Sequence, residues 1–188
     1  EVDLWLSRTR QRAVLATVRR DEVTQWSAGL YAQLESRWSP VFRTTVGLRG
    51  DAYGFDVVSD RSEDTGSTSD QIVSPKLSLS FSPWSSTELY LSAGLGFHSN
   101  DARGTVTTVD PATGDSAAPV DPLARSRGAE LGLRAAWVEG LRTTLALWTV
   151  ELESELVYVG DAGGTEASDP SHRLGVTLAS FSRLGSGW

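Results

Sequence analysis

"ELYLSAGLGFHSNDARGT", residues 88–105, holds the pattern that decides the fold. Leu89, Leu91, Ala93, Leu95 and Phe97 fall on alternate positions, with Tyr90, Ser92, Gly94, Gly96 and His98 between them. An apolar–polar period of two marks a β-strand with two unlike faces. The alternation stops at "HSND", and residues 99–125 run on in Gly, Thr, Asp, Pro and Ala without periodicity. Connections in compact domains are usually about 4–6 residues long. A loop this long calls for a functional reason.

The same alternation recurs on both sides. In "WSAGLYAQLESRW" (26–38) Trp26, Ala28, Leu30, Ala32, Leu34 and Trp38 share one face. In "KLSLSFS" (76–82) Leu77, Leu79 and Phe81 alternate with Lys and Ser, and in "GAELGLRAAW" (128–137) Leu131, Leu133, Ala135 and Trp137 oppose Glu130, Gly132 and Arg134. Less regular strands are expected around 41–57, 143–158 and 172–182. "RQRAVLATVRR" (10–20) is ambiguous, and the first twenty residues read as either a strand or part of an outer loop. The fold class is all-β, an antiparallel up-and-down meander.

Connections alternate in length. Tight ones fall at "WSPV" (38–41), "SPWSST" (82–87) and "VEGL" (138–141), where Pro and Gly make turns. Long polar ones are expected at about 59–70, 99–125 and 160–171. All the short turns then lie at one end of the sheet and all the long loops at the other, as in outer-membrane barrels. Trp38, Trp84 and Trp137 stand at the short turns, where an interfacial aromatic girdle belongs. A secreted β-sandwich binding module also alternates, but it sets charges on its outer face. Here the polar face is rich in Gly and Ser, with charges near mid-strand, as suits a wet lumen. A small self-contained pore or adhesin needs an even count of at least eight strands and a closing strand, and the sequence shows about seven.

Composition narrows the function. The 188 residues carry 17 basic and 24 acidic side chains, a net charge of -7, which gives no basic stripe for nucleic acid. Cysteine is absent, so there is no disulfide framework, thiolate metal site or thiol nucleophile. Methionine is absent even at position 1 and no signal peptide is visible, as expected of a processed chain or a piece of a longer one. No run approaches 18 apolar residues, and a mean hydropathy of -0.21 suits a membrane barrel as well as a soluble protein, because only alternate residues meet lipid.

Four stretches together, "IVSPKLSLSFSPW" (72–84), "ELYLSAGLGFHSNDARGT" (88–105), "DPLARSRGAELGLR" (121–134) and "LWTVELESELVYVGDAGGTEAS" (147–168), resemble the barrel of TonB-dependent outer-membrane receptors, and "DPSHRLGV" (169–176) supplies the last of the family's four ordered strand motifs. The resemblance covers roughly residues 20–188. It implies a barrel of about 22 strands closed by a plug domain, located in the outer membrane, importing a scarce ligand such as a siderophore or cobalamin with energy from the TonB complex. The sequence shows no plug domain, no TonB-contacting box and no closing strand; "LGSGW" before the end reads as another short turn. The expectation is therefore a single segment, residues 1–188, of about seven strands from the later part of the barrel, with its function belonging to the parent chain. An open sheet in hydrocarbon leaves edge N–H and C=O groups unpaired, at several kcal/mol each.

On this resemblance "GFHSND" marks where a strand leaves the membrane, and His98, Asn100, Asp101 and Arg103 are candidates for contact with ligand or plug. The alternative is local: Asn and Asp favour turns, and an Asp101–Arg103 ion pair at a surface is worth about 0–1 kcal/mol. Arg49 and Asp51 share a face with Arg43 and Tyr53, Glu130 shares one with Arg134, and Glu151, Glu153 and Glu155 share another. In a barrel all of these line the lumen; their other role is to fix register as cross-strand pairs. No cofactor is implied, and enzymatic chemistry has little footing. "SHR" (171–173) and "FHS" (97–99) set His beside Ser, but neighbours on a strand point to opposite faces. "GDAGGTEAS" (160–168) lacks the Lys of a phosphate loop, and "VDPATGD" (109–115) lacks EF-hand spacing.

Overall fold

The computed structural model describes residues 2–10, 13–109, 114–154, 156–159, 164–167 and 169–183, with side chains for 20–109, 114–154 and 169–183. Among the described residues ten strands are formed: β1 (Val2–Arg10), β2 (Ala13–Arg37), β3 (Phe42–Ser59), β4 (Gly66–Trp84), β5 (Thr87–Ser99), β6 (Leu123–Val138), β7 (Leu141–Leu152), β8 (Leu156–Val159), β9 (Gly164–Ala167) and β10 (Ser171–Ser182). One five-residue helix, α1 (Ala102–Val106), lies in the β5–β6 loop. β1 to β7 and β10 make one sheet in that order, and β8–β9 is a separate hairpin between β7 and β10. The described ladders are all antiparallel. Among the described residues the sheet thus has eight strands, where the sequence led us to expect about seven.

The additional strand comes from the ambiguous first twenty residues. β1 pairs with β2 from Val2↔Val23 to Arg10↔Ala13, whereas β2 pairs with β3 only from Asp21↔Ser59 downward. The β1–β2 hairpin therefore extends beyond the end of β3, on the long-loop side. A second departure is the loop expected at 59–70. β4 begins at Gly66, and Gly66–Asp70 pair with Tyr53–Val57. "GSTSD" is polar on both faces, so it carries no alternation to read, yet its backbone still continues the ladder.

Register confirms the two faces. Trp26, Leu30 and Leu34 sit opposite Gly54, Gly50 and Val46, and the row continues through Leu77, Ala93, Ala129 and Thr149 to Leu174. This apolar face is open: Leu30 is 82% exposed, Leu34 67%, Leu131 53% and Val176 67%. A sandwich buries such a face under a second sheet, and no second sheet covers it among the described residues. Trp38, Trp84 and Trp137 stand exposed at the short-turn end; Trp38 Nε1 donates to Thr44 Oγ1 at 2.9 Å, and Trp137 Nε1 to Thr87 Oγ1 at 2.8 Å. From Trp26 to Trp38, at about 3.3 Å per residue and a tilt near 40°, the band is about 30 Å tall, which suits a bilayer. The tight β6–β7 turn closes on Gly140 at φ 77°, a conformation that glycine adopts without strain.

Candidate functional site

The opposite, polar face carries a connected set of charges near the short turns. Glu88 on β5 accepts from Arg134 NH1 at 2.6 Å and from Arg43 NH2 at 3.4 Å. The Arg134 guanidinium lies 4.1 Å above the Tyr90 ring, a cation–π contact. Tyr90, only 6% exposed, donates from its hydroxyl to Glu130 at 2.5 Å. Sequence placed Glu130 and Arg134 on one face, and the structure does so through Tyr90. It missed Glu88, whose partnership with Arg134 depends on the β5–β6 register. Higher on the same face Arg49 and Asp51 bind each other along β3 in a two-point ion pair, Nε–Oδ2 and NH2–Oδ1 both 2.7 Å. The Asp51 carboxylate lies over Gly29, its register partner on β2.

The glutamates of β7 divide from this group. Glu151 is in register with Arg127 and His172, on the side of Leu131, Leu147 and Val176, and Glu153 follows it, with its N–H donating to the Arg125 carbonyl at 2.9 Å. The expectation that they line the lumen is corrected: odd positions of β7 are apolar at Leu145 and Leu147 and acidic at 151 and 153 because the same face leaves the apolar band. Glu155 lies outside the described residues.

Along β3 the apolar side switches. Val46 and Leu48 are on the apolar face, but Tyr53, Phe55 and Val57 are on the polar one. There they receive α1: Phe55, Val57, Ala102 and Val106 form a buried cluster with Val23 and Tyr53 against it. The long β5–β6 loop is thereby folded over the outer end of the polar face. Its root holds the four residues singled out from sequence. Asn100, 4% exposed, donates from Nδ2 to the Asp121 carbonyl at 2.7 Å, and its own N–H reaches the Pro122 carbonyl at 2.9 Å. Asp101 caps α1, accepting from the Arg103 N–H at 2.9 Å and its guanidinium at 2.6 Å. His98 is half-buried opposite Ala124. The four are together, and three of them build the loop. Val106→Asp is expected to undock α1 and open the chain to trypsin after Arg103 while the sheet stays folded, since an unpaired charge in an apolar contact costs about 2 kcal/mol or more. A wild-type digestion pattern would show that the cluster does not hold the loop.

His172, beside Ser171 in sequence, turns instead to Thr149 Oγ1 at 2.8 Å. Among the described residues no cluster of three or more His, Cys, Asp or Glu is placed to hold a metal ion. The stretches weighed for phosphate (160–168) and for Ca²⁺ (109–115) fall partly outside the described residues.

An exposed apolar band, tryptophans at the turn end and a polar opposite face make this sheet part of an outer-membrane β-barrel wall. The family model for TonB dependent receptor-like β-barrels matches residues 5–185, and the chain belongs to that family. The family consists of outer-membrane transporters rather than enzymes. Among solved structures, the ferric yersiniabactin uptake receptor FyuA from Yersinia pestis matches with a TM-score of 0.71 at 15% identity over 99% of this chain and 28% of the receptor. The alcaligin outer-membrane receptor FauA from Bordetella pertussis gives 0.61 at 18% over 88% and 28%, and the FrpB iron transporter from Neisseria meningitidis 0.60 at 15% over 90% and 24%. The chain therefore spans less than a third of the length of these receptors. No curated protein matches it by sequence.

Proposed function

We propose that this chain is wall and mouth of an energy-coupled importer. Its polar face, with Arg49, Asp51, Glu130 and Arg134, lines the lumen against a plug domain, and TonB supplies energy through that plug. The loop rooted at His98, Asn100, Asp101 and Arg103 forms part of the ligand mouth. The observation that carries this reading is the switch of apolar side along β3, which folds α1 inward over the polar face instead of outward over the apolar one. Outer-membrane lipid meets the leucine face. The cargo is a scarce ligand, a siderophore, cobalamin or similar; FyuA is named for ferric yersiniabactin and FauA for alcaligin.

The test is uptake by cells carrying the full-length parent, offered a panel of labelled ferric siderophores and cobalamin. At least one should accumulate, only in cells with a working TonB complex, and removing residues 102–120 should abolish high-affinity uptake. Accumulation of none, or accumulation indifferent to TonB, would sink the proposal.

A further inference from the structure

The short-turn end of the polar face is basic, although the chain as a whole carries a net charge of -7. Arg37, Arg43, Arg134 and Arg142 stand there against Glu35 and Glu88. Glu88 is taken up by Arg134 and Arg43. Arg37 and Arg142 are exposed, and neither has an ion pair among the described residues. Glu35 shares the strand side of Arg37 without pairing with it. Arg37 is moreover the direct register partner of Arg43, and like charges set opposite each other repel. This rim lacks an anion.

A pocket of about 700 Å³ opens at Arg142. On β7 Trp148, Ala146 and Thr144 oppose Glu130, Gly132 and Arg134, and Arg142 continues that row on the polar face. Its register partner on β10 is Phe181, 73% exposed. Val41 and Pro83, from two of the short turns, line the same pocket. The pocket therefore has an apolar side and a cationic side, with Arg142 unspent between them. A guanidinium without a partner selects a carboxylate or another planar oxyanion, and the apolar side selects one attached to hydrocarbon. Arg37 lies five strand spacings from Arg142, about 24 Å, so no small anion serves both.

We propose that this end of the wall seats an acidic segment of the plug. One carboxylate of the segment lies on Arg142, its apolar atoms lie against Phe181, and a further carboxylate lies on Arg37. The proposal rests on the reading that a plug fills the lumen. Members of the family carry a plug domain, and this chain matches 28% of FyuA, which leaves length for one in such a receptor. Charge complementarity fixes the register of such a contact and disfavours wrong ones.

Photo-cross-linking of the full-length receptor in detergent, with benzoylphenylalanine in place of Phe181, tests it. Illumination should join that position to a plug peptide that contains Asp or Glu. Arg142→Gln should cut the yield about fivefold, and adding Arg37→Gln should cut it further. A cross-link confined to the wall and its turns overturns the proposal, as does a plug peptide without Asp or Glu. So does a yield that either substitution leaves unchanged. Conductance of the same receptor in a planar bilayer separates the two readings. A closed barrel without the cross-link removes the seat alone, whereas a wide, open pore removes the plug itself.

Discussion

Leu131→Arg should lower the stability of the full-length receptor in lipid vesicles by about 2–4 kcal/mol, the cost of a cation near the bilayer midplane. Leu131 lies in one row with Leu91, Leu147 and Val176, midway between Arg127 and Trp137. It is 53% exposed in the isolated sheet. In a soluble protein such a residue tolerates replacement within about 0.5 kcal/mol, so lipid and water predict different results. Val138→Arg is the control. Val138 is also exposed, at 61%, but at the short-turn end, where the same charge costs about 0–1 kcal/mol. Urea midpoints of the two variants in vesicles decide it. Equal, small shifts would mean that the leucine face does not meet hydrocarbon.

That face was legible because its signal is local. A strand between lipid and a wet interior alternates strictly, and "ELYLSAGLGFH" and "GAELGLRAAW" kept their sides in the structure. What was not legible lies where one of the two media is missing. Beyond the bilayer both sides of a strand meet water or loop, so Gly66–Asp70 continue β4 with no pattern to announce it. Helix α1 has five residues, too short for a 3.6-residue period to show. Its docking site did leave a trace in the move of apolar residues from even positions at Val46 and Leu48 to odd ones at Tyr53, Phe55 and Val57. The same arithmetic corrects Glu151 and Glu153, which are odd like Leu145 and Leu147.

Partners across strands are a different kind of information. Arg134 and Glu88 are register partners 46 residues apart, and one residue of slip would send Glu88 to the opposite face from Arg134. Arg49 and Asp51, two apart on one strand, needed no register to be put together. The loop root falls between these cases. The turn preference of Asn and Asp is written in "SND", but that Asn100 would reach Asp121 across the loop is not.

Gly132→Val should cost about 3 kcal/mol or more, because the site has no room for a side chain. A Cβ there would fall 2.2–2.4 Å from the Tyr90 ring, which lies across the glycine. The ring has to leave, and two partners leave with it: Glu130 loses its hydrogen bond and Arg134 its stacking surface. Overpacking costs about 1–3 kcal/mol and a carboxylate stripped of its partner about 1–3 more. The clash and the lost contacts are separable. In a Tyr90→Ala background the space is already open and the contacts already gone, so Gly132→Val should then cost well under 1 kcal/mol, and valine favours a strand in any case. Denaturation midpoints of the wild type, the two single variants and the double variant of the full-length receptor give the coupling, expected at about 2 kcal/mol or more in magnitude. Additive losses would mean that Tyr90 does not rest on Gly132. The arginines and glutamates it gathers would then be separate surface pairs rather than one connected wall.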